Sequence, residues 1–101
     1  MINISMTDRA IAKELGNRLK QRRLNKDLSQ KQVSVAAGMS ITAVQGAERG
    51  ETTILTLIKI LRVLRSLDAL DAVLPVMEVS PLTLARLEGK KRRKASGKRQ
   101  L

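Results

Sequence analysis

S-Q-K-Q-V-S-V-A-A-G-M-S-I-T-A-V-Q-G-A-E-R-G, residues 29–50, holds two helix starts and two helix stops. The hydroxyl of Ser29 stands three residues before Gln32. That is the spacing of a capping box, in which the serine accepts from a first-turn N–H and the glutamine side chain reaches back to the serine N–H. Leu28 and Val33 flank this cap at the positions of a hydrophobic staple. The apolar run Val33, Val35, Ala36 and Ala37 then stops at Gly38, which can take the left-handed conformation that ends many helices. Ser40 offers a second cap two residues later, and Met39 with Val44 repeats the staple spacing. Arg49-Gly50-Glu51 closes the second helix, with a basic residue in its last turn and a glycine beyond it.

The flanks supply more helices. Upstream, Thr7 caps a first helix with Asp8 in its first turn, running to about Arg23, with Ile11, Leu15 and Leu19 on one face. Its other sides carry Lys13, Arg18, Lys20, Arg22 and Arg23; Arg18, Arg22 and Arg23 read either as a solvated face or as phosphate contacts. Asn25-Lys26-Asp27 is the loop that ends it. Downstream, Thr53 caps a fourth helix whose core stripe is Ile54, Leu57, Ile58, Leu61 and Leu64, with Leu55, Ile60 and Val63 off that stripe. Ser66 caps a short fifth helix through Leu67, Leu70, Val73 and Leu74, ended by Pro75. Those four residues either close the core of one molecule or form a homodimer seam, and the seam is the favoured reading. Ser80-Pro81 opens a last short amphipathic segment with Leu82, Leu84, Ala85 and Leu87. The expected organisation is a domain over residues 1–75, then a short amphipathic segment and a flexible basic tail over residues 76–101.

The 101 residues include no Cys, His, Trp, Tyr or Phe. Thiolate nucleophiles, imidazole bases, the usual zinc ligands and aromatic stacking platforms are therefore missing. The nine carboxylates form no tight cluster in the sequence, so neither an enzyme, a metal site nor a cofactor is expected. A core of Leu, Ile, Val, Met and Ala suits helix-on-helix packing, and the fold class is all-α. No apolar run reaches the length of a membrane span, and the N-terminus lacks the pattern of a secretion signal, which points to a soluble cytoplasmic protein associated with the nucleoid. Twenty Lys and Arg against nine Asp and Glu give a net charge of +11, which favours a polyanionic partner. Seven of the cations (Lys90, Lys91, Arg92, Arg93, Lys94, Lys98, Arg99) fall in residues 89–101, which hold no acid, so the first 88 residues carry only +4. That tail reads as a solvated end or as a non-specific phosphate contact. The basic tail could serve RNA, but the lack of aromatic residues removes the usual stacking platform and disfavours it as the anion.

Two short helices joined by a tight turn containing Gly make a helix-turn-helix. Residues 29–50 closely resemble the signature of the phage-repressor-like (Cro/cI, or XRE) family at Ser29, Gln30, Val33, Ala37, Gly38, Ser40, Val44, Glu48, Arg49 and Gly50. The resemblance spans roughly Leu15 to Leu70. Around Thr52-Thr53-Ile54 and Lys59-Ile60-Leu61 the chain is most similar to HipB-type antitoxins. The resemblance implies a compact five-helix, lambda-repressor-like domain that represses its own operon as a dimer and binds a HipA-like serine/threonine kinase toxin. A stand-alone phage-type repressor and a protein-interaction adaptor are the alternatives.

In such a fold the second helix of the motif lies in the major groove of double-stranded DNA with its N-terminal residues against base edges. Ser40, Ile41, Thr42 and Gln45 are then the readers and Arg49 an additional contact. Gln45 suits an adenine edge, while Thr42 and Ile41 suit a thymine methyl. Gln30, at the start of the preceding helix, is placed to hold a phosphate. Gly46 departs from the pattern, standing where the family often carries a long DNA-reading side chain; either the backbone approaches DNA there or shape carries more of the specificity. Glu48 reads as structural, pairing with Arg49 or with a base of the first helix.

Overall fold

A computed structural model describes residues 1–97, with side chains through Gly89. Six helices and no strand occur among the described residues: α1 (Asp8–Asn25), α2 (Gln30–Ala37), α3 (Ile41–Glu48), α4 (Ile54–Val63), α5 (Ala69–Val73) and α6 (Pro81–Gly97). Local chemistry sets the starts of the first four. Thr7 Oγ1 accepts from the Ala10 N–H at 3.1 Å, Ser40 Oγ from Ala43 at 3.1 Å and Thr53 Oγ1 from Thr56 at 3.2 Å, each satisfying a donor that has no partner inside its helix. At α2 the full capping box forms: Ser29 Oγ accepts from the Gln32 N–H at 3.0 Å, and Gln32 Oε1 accepts from the Ser29 N–H at 2.7 Å. Gly38 ends α2 in the left-handed region at φ 69°.

The core is built where α1, α2, α3 and α4 converge. Leu19, Val33, Val44, Ala47, Ile60, Leu61 and Leu64 are buried, with Leu28, Met39, Leu57, Val63, Leu67 and Leu70 packed partly against them. Val33, Val44, Ile60 and Leu64 are the largest side chains fully removed from water, each worth about 1.5–3 kcal/mol of burial. Leu28 and Met39, the outer members of the two staples, lie against this core and fix how the chain enters α2 and α3.

Two expectations about faces and one about a cap are corrected. Ile54, expected in the core stripe of α4, is 77% exposed, whereas Ile60, expected off it, is 1% exposed. The inward face of α4 is Leu57, Ile60 and Leu61, continued by Leu64 at its C-cap, and the helix packs against α2 and α3. On α1, Leu15 is 49% exposed and Gly16, Leu19 and Arg23 are the buried positions. The cause is a backbone approach: a Cβ on Gly16 would lie 2.5 Å from the Glu48 carbonyl oxygen, so α1 turns its glycine edge to the end of α3. Ser66 does not cap α5. Its hydroxyl is buried, donates to the Leu64 carbonyl at 3.3 Å and accepts from Arg22 Nη1 at 3.2 Å, and α5 starts after Asp68 with no side-chain cap.

At the C-terminal end, Ser80 Oγ accepts from the Thr83 N–H at 3.2 Å and α6 begins at Pro81. The segment expected to be short is a helix as far as Gly97, and it takes in part of the stretch expected to be flexible. Between Gly89 and Ser96 the sequence offers Lys, Arg and Ala, all good helix formers, with no proline to stop it. The end of the basic tail, residues 98–101, lies outside the described residues.

Candidate nucleic-acid interface

α3 is eight residues long and is fixed at both ends. At its start Ser40 is engaged as the cap, so the leading edge left to solvent is Ile41, 41% exposed, and Thr42. At its end Glu48 is buried and bonded to Arg23 of α1, 25 residues earlier in the chain: Arg23 Nε donates to Glu48 Oε2 at 2.6 Å and Nη2 donates to Oε1 at 3.1 Å. Arg23 Nη1 also donates to the Leu28 carbonyl at 2.7 Å. The two side chains are 8% and 6% exposed. A two-point charged pair of this kind is both strong and directional, so it sets how α3 sits on α1.

The pair extends outward through α2. Gln30 Nε2 donates to Glu48 Oε1 at 3.0 Å, and Gln45 Nε2 donates to Gln30 Oε1 at 3.4 Å. Gln30 and Gln45 are half-buried. Both ends of the Gln30 amide are thus engaged inside the protein, where a phosphate contact was expected of it. Arg49 is exposed beyond the end of α3 and meets Glu51 at 3.4 Å in a surface pair.

The structure therefore brings Gln30 and Gln45 together, leaves Ile41, Thr42 and Arg49 in solvent, and uses Ser40 to start the helix. Of the three arginines considered for phosphate contact, Arg23 is excluded by its burial against Glu48. Arg18 pairs with Glu14 at 3.0 Å and Arg22 bonds Ser66. The structural reading of Glu48 holds with the first-helix base as partner; Arg49 has Glu51 instead. Arg23 is the residue whose role the sequence hid. Helical spacing shows which residues share a face, but not that a basic residue on α1 lies opposite an acid on α3.

Gly46 requires a correction. It is buried, and a Cβ there would lie 2.9 Å from the Glu51 carbonyl oxygen. The Glu51 N–H also donates to the Gly46 carbonyl at 2.8 Å. Position 46 therefore faces the loop that closes over the end of α3, and the glycine is there to let that loop approach. Of the four residues expected at a homodimer seam, Leu67 and Leu70 pack partly against the core, whereas Val73 and Leu74 are 65% and 84% exposed. Among the described residues no group of acids is placed to hold a metal ion, and no helix is long and apolar enough to cross a membrane.

A capped helix ending in a tight left-handed turn, followed by a second capped helix with an exposed leading edge, is the architecture of a helix-turn-helix, a motif that binds DNA by placing its second helix in the major groove. The chain belongs to a family of helix-turn-helix domains, whose model matches residues 14–77. No curated protein matches the chain. The matched region takes in α2, α3 and α4 whole, together with most of α1 and all of α5.

Proposed function

We propose that the protein is a sequence-specific transcriptional repressor that binds a double-stranded operator as a homodimer. The observation that carries this reading is α3 itself, held rigidly by the Ser40 cap and the Glu48–Arg23 pair while Ile41 and Thr42 stand free at its leading edge. A reading helix needs that combination, because base discrimination falls away when the side chains are not held in register with the groove. Ile41, Thr42 and Gln45 read bases, and Arg49 contacts phosphate by exchanging its loose surface pair with Glu51. One eight-residue helix covers a single half-site, and a second copy supplies the other half. The exposed Val73 and Leu74, continuous with Leu67 and Leu70, are the proposed seam.

The role as an antitoxin that also binds a HipA-like kinase rests on the resemblance to HipB-type proteins alone. Co-purification from the native operon tests it: a kinase-like protein retained with this chain supports the pairing, and recovery of this chain alone contradicts it. A glycine in the second helix of the motif, with no side chain to offer DNA, would favour the adaptor alternative if it stood on the DNA-facing side. That support is gone, since Gly46 faces the Glu51 loop.

Replacing Gln45 by Ala tests base reading directly. The expected loss is about 1–3 kcal/mol on the preferred duplex with little change on random DNA. Equal weakening on both would remove Gln45 from the readers.

A further inference from the structure

The hydrogen bonds that run outward from the buried ion pair have a direction, and the direction is set by charge. The Glu48 carboxylate has only acceptors to offer. Whichever way an amide is drawn in a structure, the group of Gln30 that meets Glu48 at 3.0 Å must therefore be its NH2. This turns the Gln30 carbonyl oxygen toward Gln45, 3.4 Å away, and an oxygen can only accept. Gln45 must then offer its own NH2 to Gln30. One N–H of Gln45 is used inward, while its second N–H and its carbonyl oxygen remain.

We propose that Gln30 is a positioning residue for base specificity: through it the buried Glu48 fixes the amide of Gln45 with one donor and one acceptor left for DNA. The inference rests on the reading of Gln45 as a base contact. A donor beside an acceptor matches the major-groove edge of adenine, which offers the N7 acceptor and the N6 donor. Guanine offers two acceptors, N7 and O6, and pairs poorly with an amide held in this way. An untethered glutamine would rotate to suit either base. Its discrimination is therefore made by Arg23, Glu48 and Gln30, none of which has to touch the base.

The polarity can be removed or reversed at one position. In Gln30→Met the side chain keeps its length and carries neither group, so the Gln45 amide is released. In Gln30→Lys the ammonium still donates to Glu48 but has only donors, so Gln45 must turn its carbonyl inward and present N–H groups to DNA. The full chain and both variants are bound to a pool of random-sequence duplexes, and the retained DNA is sequenced, with thermal unfolding recorded for all three. The wild type is expected to enrich adenine at the Gln45 position. Gln30→Met is expected to lose that adenine-over-guanine preference by about tenfold while keeping its affinity for unselected DNA. Gln30→Lys is expected to move the preference toward guanine. The added charge of the lysine raises overall affinity but does not by itself favour one base, so a shift in preference separates the relay from a merely structural role. Should Gln30→Met not fold, Gln30→Lys still decides the matter, because it keeps Glu48 partnered. Adenine preference retained at full strength in the folded variants would overturn the relay alone. No enriched base for the wild type would overturn base reading by Gln45 and the relay with it.

Discussion

Arg23 and Glu48 are nearly withdrawn from water, and each is the charged partner of the other in the interior. Removing one leaves the other buried and unpaired, and Arg23→Ala is expected to cost about 3–5 kcal/mol in urea unfolding. Replacing both by apolar residues of similar size is expected to cost less than either single change. A single change costing under about 1 kcal/mol would mean that water reaches the pair. Glycine at position 46 makes the opposite kind of case. On helix propensity alone Gly46→Ala should stabilise α3 by about 1 kcal/mol. The Glu51 carbonyl, 2.9 Å from where the new Cβ would stand, is expected to cancel that gain, so that the melting temperature does not rise. A rise of several degrees would show that the loop gives way at little cost.

At the scale of elements, the helix starts were legible because caps are local: Thr7, Ser29, Ser40 and Thr53 all act within three residues of themselves, and all four bond as their spacing indicates. The turn at Gly38 is local in the same sense. What the sequence did not disclose depends on neighbours distant in the chain. Ile54 and Ile60 are equally apolar, and only the placement of α2 and α3 decides that the second is buried. Ser66 has the chemistry of a cap, but Arg22 and the Leu64 carbonyl compete for its hydroxyl. The second helix of the motif, α3, was legible from its cap and its closing glycine, whereas the brace behind it required knowing that Arg23 faces Glu48. Two tests belong here. Ser40→Ala is expected to lower stability by about 1 kcal/mol in thermal unfolding, since the Ala43 N–H loses its acceptor; an unchanged melting temperature would mean that water replaces the hydroxyl. Gly16→Ala is expected to cost about 1–3 kcal/mol, because the atoms its Cβ would meet, the Glu48 carbonyl and the Gly50 nitrogen, are backbone and must shift together. A smaller loss would show that α1 and α3 can part without disturbing the core.

For the molecule as a whole, the distribution of charge separates two kinds of DNA binding. Residues 1–88 carry +4 and include α3, while residues 89–101 carry seven cations and no acid. Phosphate contacts make affinity fall steeply with salt, whereas contacts to base edges decide which sequence is bound. A chain ending at Glu88 is therefore expected to bind more weakly and with a shallower salt dependence, but with its sequence preference intact. Light scattering at micromolar concentration is expected to give the mass of a dimer, reduced toward that of a monomer by charged residues at Val73 and Leu74; a monomeric mass for the unaltered chain would remove the proposed seam. The central claim, that α3 reads sequence, is tested most directly by titrating the full chain and the Glu88-terminated chain with DNA from upstream of its own gene and with a scrambled duplex of equal length, at two salt concentrations. Preference for the upstream duplex that survives truncation is the expected result. Equal affinity for both duplexes, lost along with the tail, would mean that charge and not the helix-turn-helix binds DNA.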